Sequence, residues 1–329
     1  MTQKILFIGG TGIISSACAK KLVEDGTKLT LLCRGKSDRE PPKGVEILQA
    51  DIRAPSTVES VLGGRRFDAV VDWVAFTPAH VEADIALFQG KTAQYVFISS
   101  ASVYQTPLRA LPITESTPLS NPFWRYSRDK IACEELLNRA YRDRSFPMTI
   151  VRPSHTYDCR TLPFHGGYSV VDRMRRGKAV VVHGDGTSLW VLTHHADFAR
   201  GFNGLLGDTQ ALGEAFHITS DELLTWNQIH EIVAEAAGVE PKLAHVPSES
   251  IARLDPEWGS SLLGDKAHSV IFDNTKIKRK VPGFFVRTPF RRGAREIIDW
   301  FDEDPKRRST DAHFDALCER LVAISERTD

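Results

Sequence analysis

A chain of 329 residues in which 42 Lys+Arg balance 42 Asp+Glu has no net charge. That argues against recruitment to nucleic acid or to an anionic membrane by the overall field. No stretch approaches the ~20 apolar residues of a bilayer span, so no membrane partner is expected. The five cysteines (Cys18, Cys33, Cys133, Cys159, Cys318) are scattered without a C-x-x-C pair, as in a protein with reduced thiols. The first residues also lack the pattern of a secretory leader, and a cytoplasmic location is expected.

In chain order, 4–8 is a dense apolar run, as in a strand buried on both faces of a parallel sheet. It leads into Gly9, Gly10, Thr11, Gly12, Ile13, Ile14 and Ser15, then an amphipathic helix over 16–25 and a second strand over 28–33. Gly9 permits the tight turn, and Gly12 lets backbone N–H groups approach a pyrophosphate at the helix N-terminus. The third small position is Ser15. A third strand, 45–50, ends at Asp51 and Ile52; a short helix (57–62), a fourth strand (67–73), a helix (78–88) and a fifth strand (94–100) follow. A long helix over 123–141 and a sixth strand over 148–152 complete the alternation. The fold class is therefore α/β, a doubly wound parallel-sheet Rossmann domain.

After Pro153 the pattern becomes irregular. A loop is expected over 154–167, with helices over 170–176, 196–206, 226–237 and 311–326 and a strand over 178–183. This divides the chain into a dinucleotide-binding domain, 1–153, and a smaller mixed α/β substrate-binding region, 154–329. A segment around 190–222 is expected to return to the Rossmann sheet.

The chemistry gathers after the fifth strand. Ser100 stands at its end, and Tyr126 and Lys130 are one helical turn apart, on one face. A free tyrosine titrates near ~10, so a phenolate at neutral pH costs about 4 kcal/mol. One cation about 5 Å away, at an effective dielectric near 20, supplies about 3 kcal/mol. Lys130 and an oxidised nicotinamide together would make Tyr126 a usable base, with Ser100 bonding the substrate oxygen. His194 and His195 have no companion ligands at metal spacing, so no metal is assigned. The basic runs 173–178 and 276–280 read as solvated faces.

Taken together, these residues resemble the extended short-chain dehydrogenase/reductases, in particular the NAD(P)-dependent sugar epimerase/dehydratase-like branch. The glycine turn, Ser100 before Tyr104, the Tyr126/Lys130 pair, Arg152–Pro153 and Gly184–Gly186 carry the likeness. The resemblance implies catalysis by Ser100, Tyr126 and Lys130. It implies a cofactor site of Gly9, Thr11, Gly12, Ile13, Ile14, Arg34, Asp51, Ile52, Val74, Ala75, Lys130 and Pro153. It places Ser102, Ser154, His155 and Trp190 against a sugar or sugar-nucleotide substrate, and implies a homodimer through helices 78–88 and 123–141. Epimerase and reductase chemistry are both open, as is an RNA-binding module like the superfamily's chloroplast proteins, although the balanced charge leaves no nucleic-acid partner expected.

Three departures narrow the expectation. Ala101 and Ser102 replace the Asp-Glu pair of 4,6-dehydratases, which speaks against dehydration by that route. Strand two ends at Cys33 and Arg34 rather than at an acidic residue, which favours NADP over NAD. Trp190 stands where nucleotide-sugar members carry an arginine, so its indole is expected to stack on a sugar ring. Arg160 and Arg173 are the nearer candidate anion partners; Arg279 or Arg292 would restore a diphosphate site by reaching the same pocket.

Overall fold

The computed structural model describes residues 2–326. Its first half is a run of βα units: β1 (Lys4–Ile8), α1 (Ile13–Glu24), β2 (Lys28–Cys33), β3 (Glu46–Gln49), α2 (Pro55–Leu62), β4 (Ala69–Asp72), α3 (Pro78–Phe88), β5 (Tyr95–Ile98), α4 (Arg125–Arg144) and β6 (Met148–Pro153). The second half is less regular: β7 (His155–Tyr157), α5 (Tyr168–Arg175), β8 (Ala179–His183), β9 (Leu189–Trp190), β10 (Leu192–His194), α6 (His195–Asn203), β11 (Ala215–Ile218), β12 (Leu224–Thr225), α7 (Trp226–Ala236) and β13 (Lys242–Val246). Five helices follow: α8 (Ser248–Leu254), α9 (Pro256–Ser261), α10 (Thr275–Lys280), α11 (Phe290–Glu303) and α12 (Ala312–Ser325).

The central sheet has seven strands in the order β11-β6-β5-β4-β1-β2-β3, every neighbouring pair parallel. The two-residue period of β1 feeds both faces. Ile5 and Phe7 join the core under α1 and α6, and Leu6 and Ile8 the core under α2, α3 and α4. β11 returns from the second half to pair with β6, Ala215 opposite Ile150. The order reverses at β1 and β4, so their carboxyl ends open a crevice there.

Several details differ from the sequence reading. The stretch 154–167 is not wholly loop: β7 pairs with β10 in parallel. α11, not read from the sequence, buries Phe290, Ala294, Ile297, Ile298 and Phe301. On α3, Val81, Asp84, Ile85, Leu87 and Phe88 are the buried residues, while Ala79, Ala83 and Ala86 face outward, so the inward face of this helix is branched and aromatic around one carboxylate that accepts from Tyr95. α12 packs on β8 and β13 through Phe314, Leu317, Cys318 and Leu321.

Candidate active site

The dinucleotide cleft is built by the carboxyl ends of β1 to β4. Gly9 and Gly10 have φ of +94° and +112°, a region side chains seldom adopt. A Cβ on Gly10 would stand 2.7 Å from Leu31 Cδ2. Gly12 is the N-cap of α1, and its N–H donates to Ser15 Oγ at 2.7 Å, so the small third position of the turn also ties it to the helix. A cavity of about 580 Å³ follows, lined by Gly9, Thr11, Arg34, Lys36, Arg39, Asp51, Ile52, Val74 and Phe76 among others. Backbone close enough to take a pyrophosphate, a helix N-terminus and a basic rim suit a nicotinamide dinucleotide. Of the residues assigned to the cofactor, Gly12, Ile13 and Ile14 open α1, Ala75 lies behind the cleft, and Pro153 ends β6.

Lys130 is buried between this cleft and the neighbouring pocket, close to Phe76 of the one and Tyr126 of the other. Its Nζ donates to Ala75 O and to Ile98 O, both at 2.7 Å, which leaves one of three ammonium protons for a ligand. The ammonium lies 5.8 Å from the Tyr126 ring centre and 4.8 Å from that of Phe76. Burial pulls the Lys130 amine down to about 8, so it is still mostly charged at neutral pH.

Ser100, Ser102, Tyr126, Ser154 and His155 line one pocket of about 240 Å³ with Ala101, Trp124, Asp265 and Lys266. Burial raises the Tyr126 phenol above its ordinary value, a hydrogen bond with Ser100 draws it back, and Asp265 pushes it up again. Ser102 is buried behind Ser100: their hydroxyls are 2.9 Å apart, and Ser127 Oγ donates to Ser102 Oγ at 2.7 Å. It steadies Ser100 from behind. His155 Nδ1 accepts from Trp190 Nε1 at 3.0 Å, so when neutral the ring carries its proton on Nε2. Burial lowers that imidazole to about 3, and it stays neutral at any working pH.

Trp190 itself does not form a wall of this pocket. Its side chain is 1 % exposed and packs against Trp226 at 5.5 Å between ring centres. The pairing of β9 with β12, Trp190 opposite Leu224, carries it inward. Stacking of a sugar ring on this indole is therefore corrected to a supporting role through His155. His194 caps α6 and places Nε2 3.2 Å from Glu296. Arg173 is held by Asp315, Glu319 and Ala179 O, Arg160 pairs with Asp38, Arg292 bonds Glu296, and Arg279 lines a different cavity. Lys266 is the one Lys or Arg side chain lining the Ser100/Tyr126 pocket among the described residues.

Trp124, Asp265 and Lys266 were not found from the sequence. The last two lie more than a hundred residues beyond Tyr126 on an irregular turn, and only their charge within an otherwise apolar and glycine-containing stretch marks them. Cys133 lies on the Lys130 helix, but burial pushes its thiol up to about 12, which leaves no thiolate for nucleophilic chemistry.

Residues 83–218 match the profile of the NAD dependent epimerase/dehydratase family. The match spans 136 of the 329 residues, and the chain is similar to that family over this part. Among its relatives is 2'-dehydrokanamycin reductase of Streptomyces kanamyceticus, 25% identical over 288 residues, covering 86% of this chain and 80% of that one. The chloroplast stem-loop binding protein of 41 kDa b of Arabidopsis thaliana is 28% identical over 262 residues, covering 74% of this chain and 66% of that one. An epimerase from Methanothermobacter thermautotrophicus has the same fold, with a TM-score of 0.77 and 17% identity, covering 93% of this chain and 94% of that one. The chain's relatives include epimerases, dehydratases and reductases of the short-chain dehydrogenase/reductase type, and the chain is an enzyme of that type. No helix among its described residues is long and apolar enough to cross a membrane.

Proposed function

We propose that the enzyme moves a hydride between a nicotinamide and a hydroxyl or keto carbon of a sugar, with Tyr126 carrying the proton. The observation that supports this best is the placement of Lys130, bonded on one side to the strand end of the cofactor cleft and on the other to the strand that presents Ser100. When bound, the cofactor supplies the hydride acceptor or donor. Ser100 then holds the substrate oxygen, Tyr126 takes or gives its proton, and the Lys130 charge lowers the cost of the phenolate. Arg34 and Lys36 on the basic rim favour NADP(H), because a guanidinium binds a 2'-phosphate bidentately.

The substrate read as most compatible is a keto sugar without a nucleotide diphosphate, turned over as a reductase would. The pocket offers no arginine, and a buried diphosphate lacking strong cationic partners is heavily penalised. The reductase relative acts, by its name, on a dehydro-aminoglycoside. A nucleotide-sugar epimerase is the second reading, favoured by Lys266, which also lines the neighbouring aromatic cavity of Trp226 and Trp258. The stem-loop binding relative keeps an RNA-binding module as a weaker alternative, against which the Ser100/Tyr126/Lys130 set and the balanced charge weigh.

A panel of free sugars, kanamycin and UDP-, GDP- and dTDP-sugars, followed by nicotinamide absorbance and product NMR, tests the proposal. Net redox turnover without a nucleotide supports the reductase. Epimerised nucleotide sugar with no net redox change supports the epimerase. We also propose a homodimer through the outward alanine face of α3 together with α4; a single monomeric species by sedimentation at micromolar concentration would count against it.

A further inference from the structure

One wall of the catalytic pocket comes from a stretch that hydride transfer does not use. Leu262–Lys266 forms a π-helical turn, a backbone form that recurs at functional sites. Gly264 lets this turn press on the segment before α4: a Cβ there would meet Trp124 Cβ at 2.8 Å and Asn121 Oδ1 at 3.1 Å. Asn121 Nδ2 donates to both Gly264 O (2.6 Å) and Ser102 O (3.0 Å), fixing the turn to the segment that carries Ser100. Lys266 O accepts from His183 Nε2 at 2.9 Å, Trp226 Nε1 at 3.2 Å and Ser188 Oγ at 3.4 Å. The backbone is thus anchored from both sides, and two consecutive charged side chains line the pocket.

Their own pairing is incomplete. Lys266 Nζ stands 3.9 Å from Asp265 Oδ2, beyond hydrogen-bond reach, and lies over the indoles of Trp124 (5.3 Å) and Trp190 (5.9 Å). Among the described residues the Asp265 carboxylate has no hydrogen-bond donor. Burial raises it to about 6, so it is mainly ionised at neutral pH, and burial also pushes Lys266 toward its neutral form. The Asp265 side chain stays 21 % exposed, and a half-buried carboxylate with no protein donor favours a ligand that brings donors. A charged donor forms the stronger bond.

We propose that Asp265 binds an amino group of the substrate, so that the pocket selects amino sugars whose reacting carbon lies at Ser100 and Tyr126. This rests on the hydride-transfer reading for the position of the reacting carbon, but not for the binding preference.

Calorimetry on the full chain with kanamycin, D-glucosamine and D-glucose tests it. The wild type should bind glucosamine about tenfold more tightly than glucose, the margin of one charge-assisted hydrogen bond, and should bind kanamycin. Asp265→Asn should bring the two monosaccharides within about twofold of each other and weaken kanamycin by about tenfold or more. Asp265→Glu, which keeps the charge, should retain the preference. Equal binding by the wild type, undetectable binding of the amines, or a preference that survives in Asp265→Asn overturns the proposal. Tyr126→Phe separates the two ideas: it should leave the binding preference intact while removing nicotinamide turnover. A preference without turnover by the wild type on any sugar would count against hydride transfer alone.

Discussion

Tyr126 is harder to ionise in this chain than a free phenol, because burial and Asp265 outweigh the hydrogen bond with Ser100. A base at this position therefore depends on positive charge brought close, and Lys130 is the side chain the fold supplies. Its two carbonyl partners fix it between cofactor and substrate clefts, a role visible in the sequence only as a Tyr-x-x-x-Lys spacing. In the proposed reading, cofactor choice turns on Arg34. It is exposed at the end of β2, so its contribution should be confined to the ligand. Arg34→Ala should weaken NADPH binding by about tenfold or more while changing NADH by less than about twofold. Fluorescence titration with both cofactors checks this, and equal NADH and NADPH affinity in the wild type would refute the preference.

Between elements, the α4–β6 contact carries a buried ion pair. Arg152 Nη2 lies 2.6 Å from Glu134 Oε2 and Arg152 Nε 3.0 Å from Glu134 Oε1, with the side chains 5 % and 0 % exposed. Ser99 Oγ also donates to Glu134, so the pair locks the end of β5, next to Ser100, against the helix of Tyr126. Arg152→Met leaves an uncompensated buried carboxylate and should cost about 3–5 kcal/mol of stability, measured by urea unfolding. The double change with Glu134→Gln should recover part of that loss. The βα alternation was legible because most strands of the first half are short apolar runs between turn residues, the edge strand β3 (Glu46–Gln49) being the exception. α11 was legible too, since Phe290, Ala294, Ile297, Ile298 and Phe301 fall at helical spacing on one face, although it was not read. Trp190 was misplaced because its residue type was compared with a family position, whereas burial is decided by the pairing of β9 with β12. The serine, tyrosine and lysine could be read from local spacing; Asp265 could not, because only the tertiary clamp through Asn121 and Gly264 brings it to them.

At the scale of the whole molecule, the chain's last described helix is fastened by charge. Asp315 on α12 pairs with Arg173, Arg176 and Lys178. Burial alone would raise its carboxyl, but these three cations hold it down to about 2. A depressed carboxylate contributes stability above its unfolded value near ~4, and loses it as pH falls toward about 2. Asp315→Asn should therefore be less stable than wild type at neutral pH, and the gap should close over that acid window. Thermal unfolding at a series of pH values reads the difference; a constant gap from neutral pH down to about 2 would show that the charge is not responsible.

Every step proposed for the pocket depends on Tyr126 as the proton carrier of a hydride transfer. The most direct measurement is single-turnover nicotinamide absorbance, wild type against Tyr126→Phe, on the panel sugar the wild type turns over, with cofactor affinity measured alongside. Losing the hydroxyl should slow hydride transfer by about a hundredfold or more, the usual share of general acid–base catalysis, and shift cofactor affinity by less than about threefold. A Tyr126→Phe enzyme as fast as the wild type would contradict it.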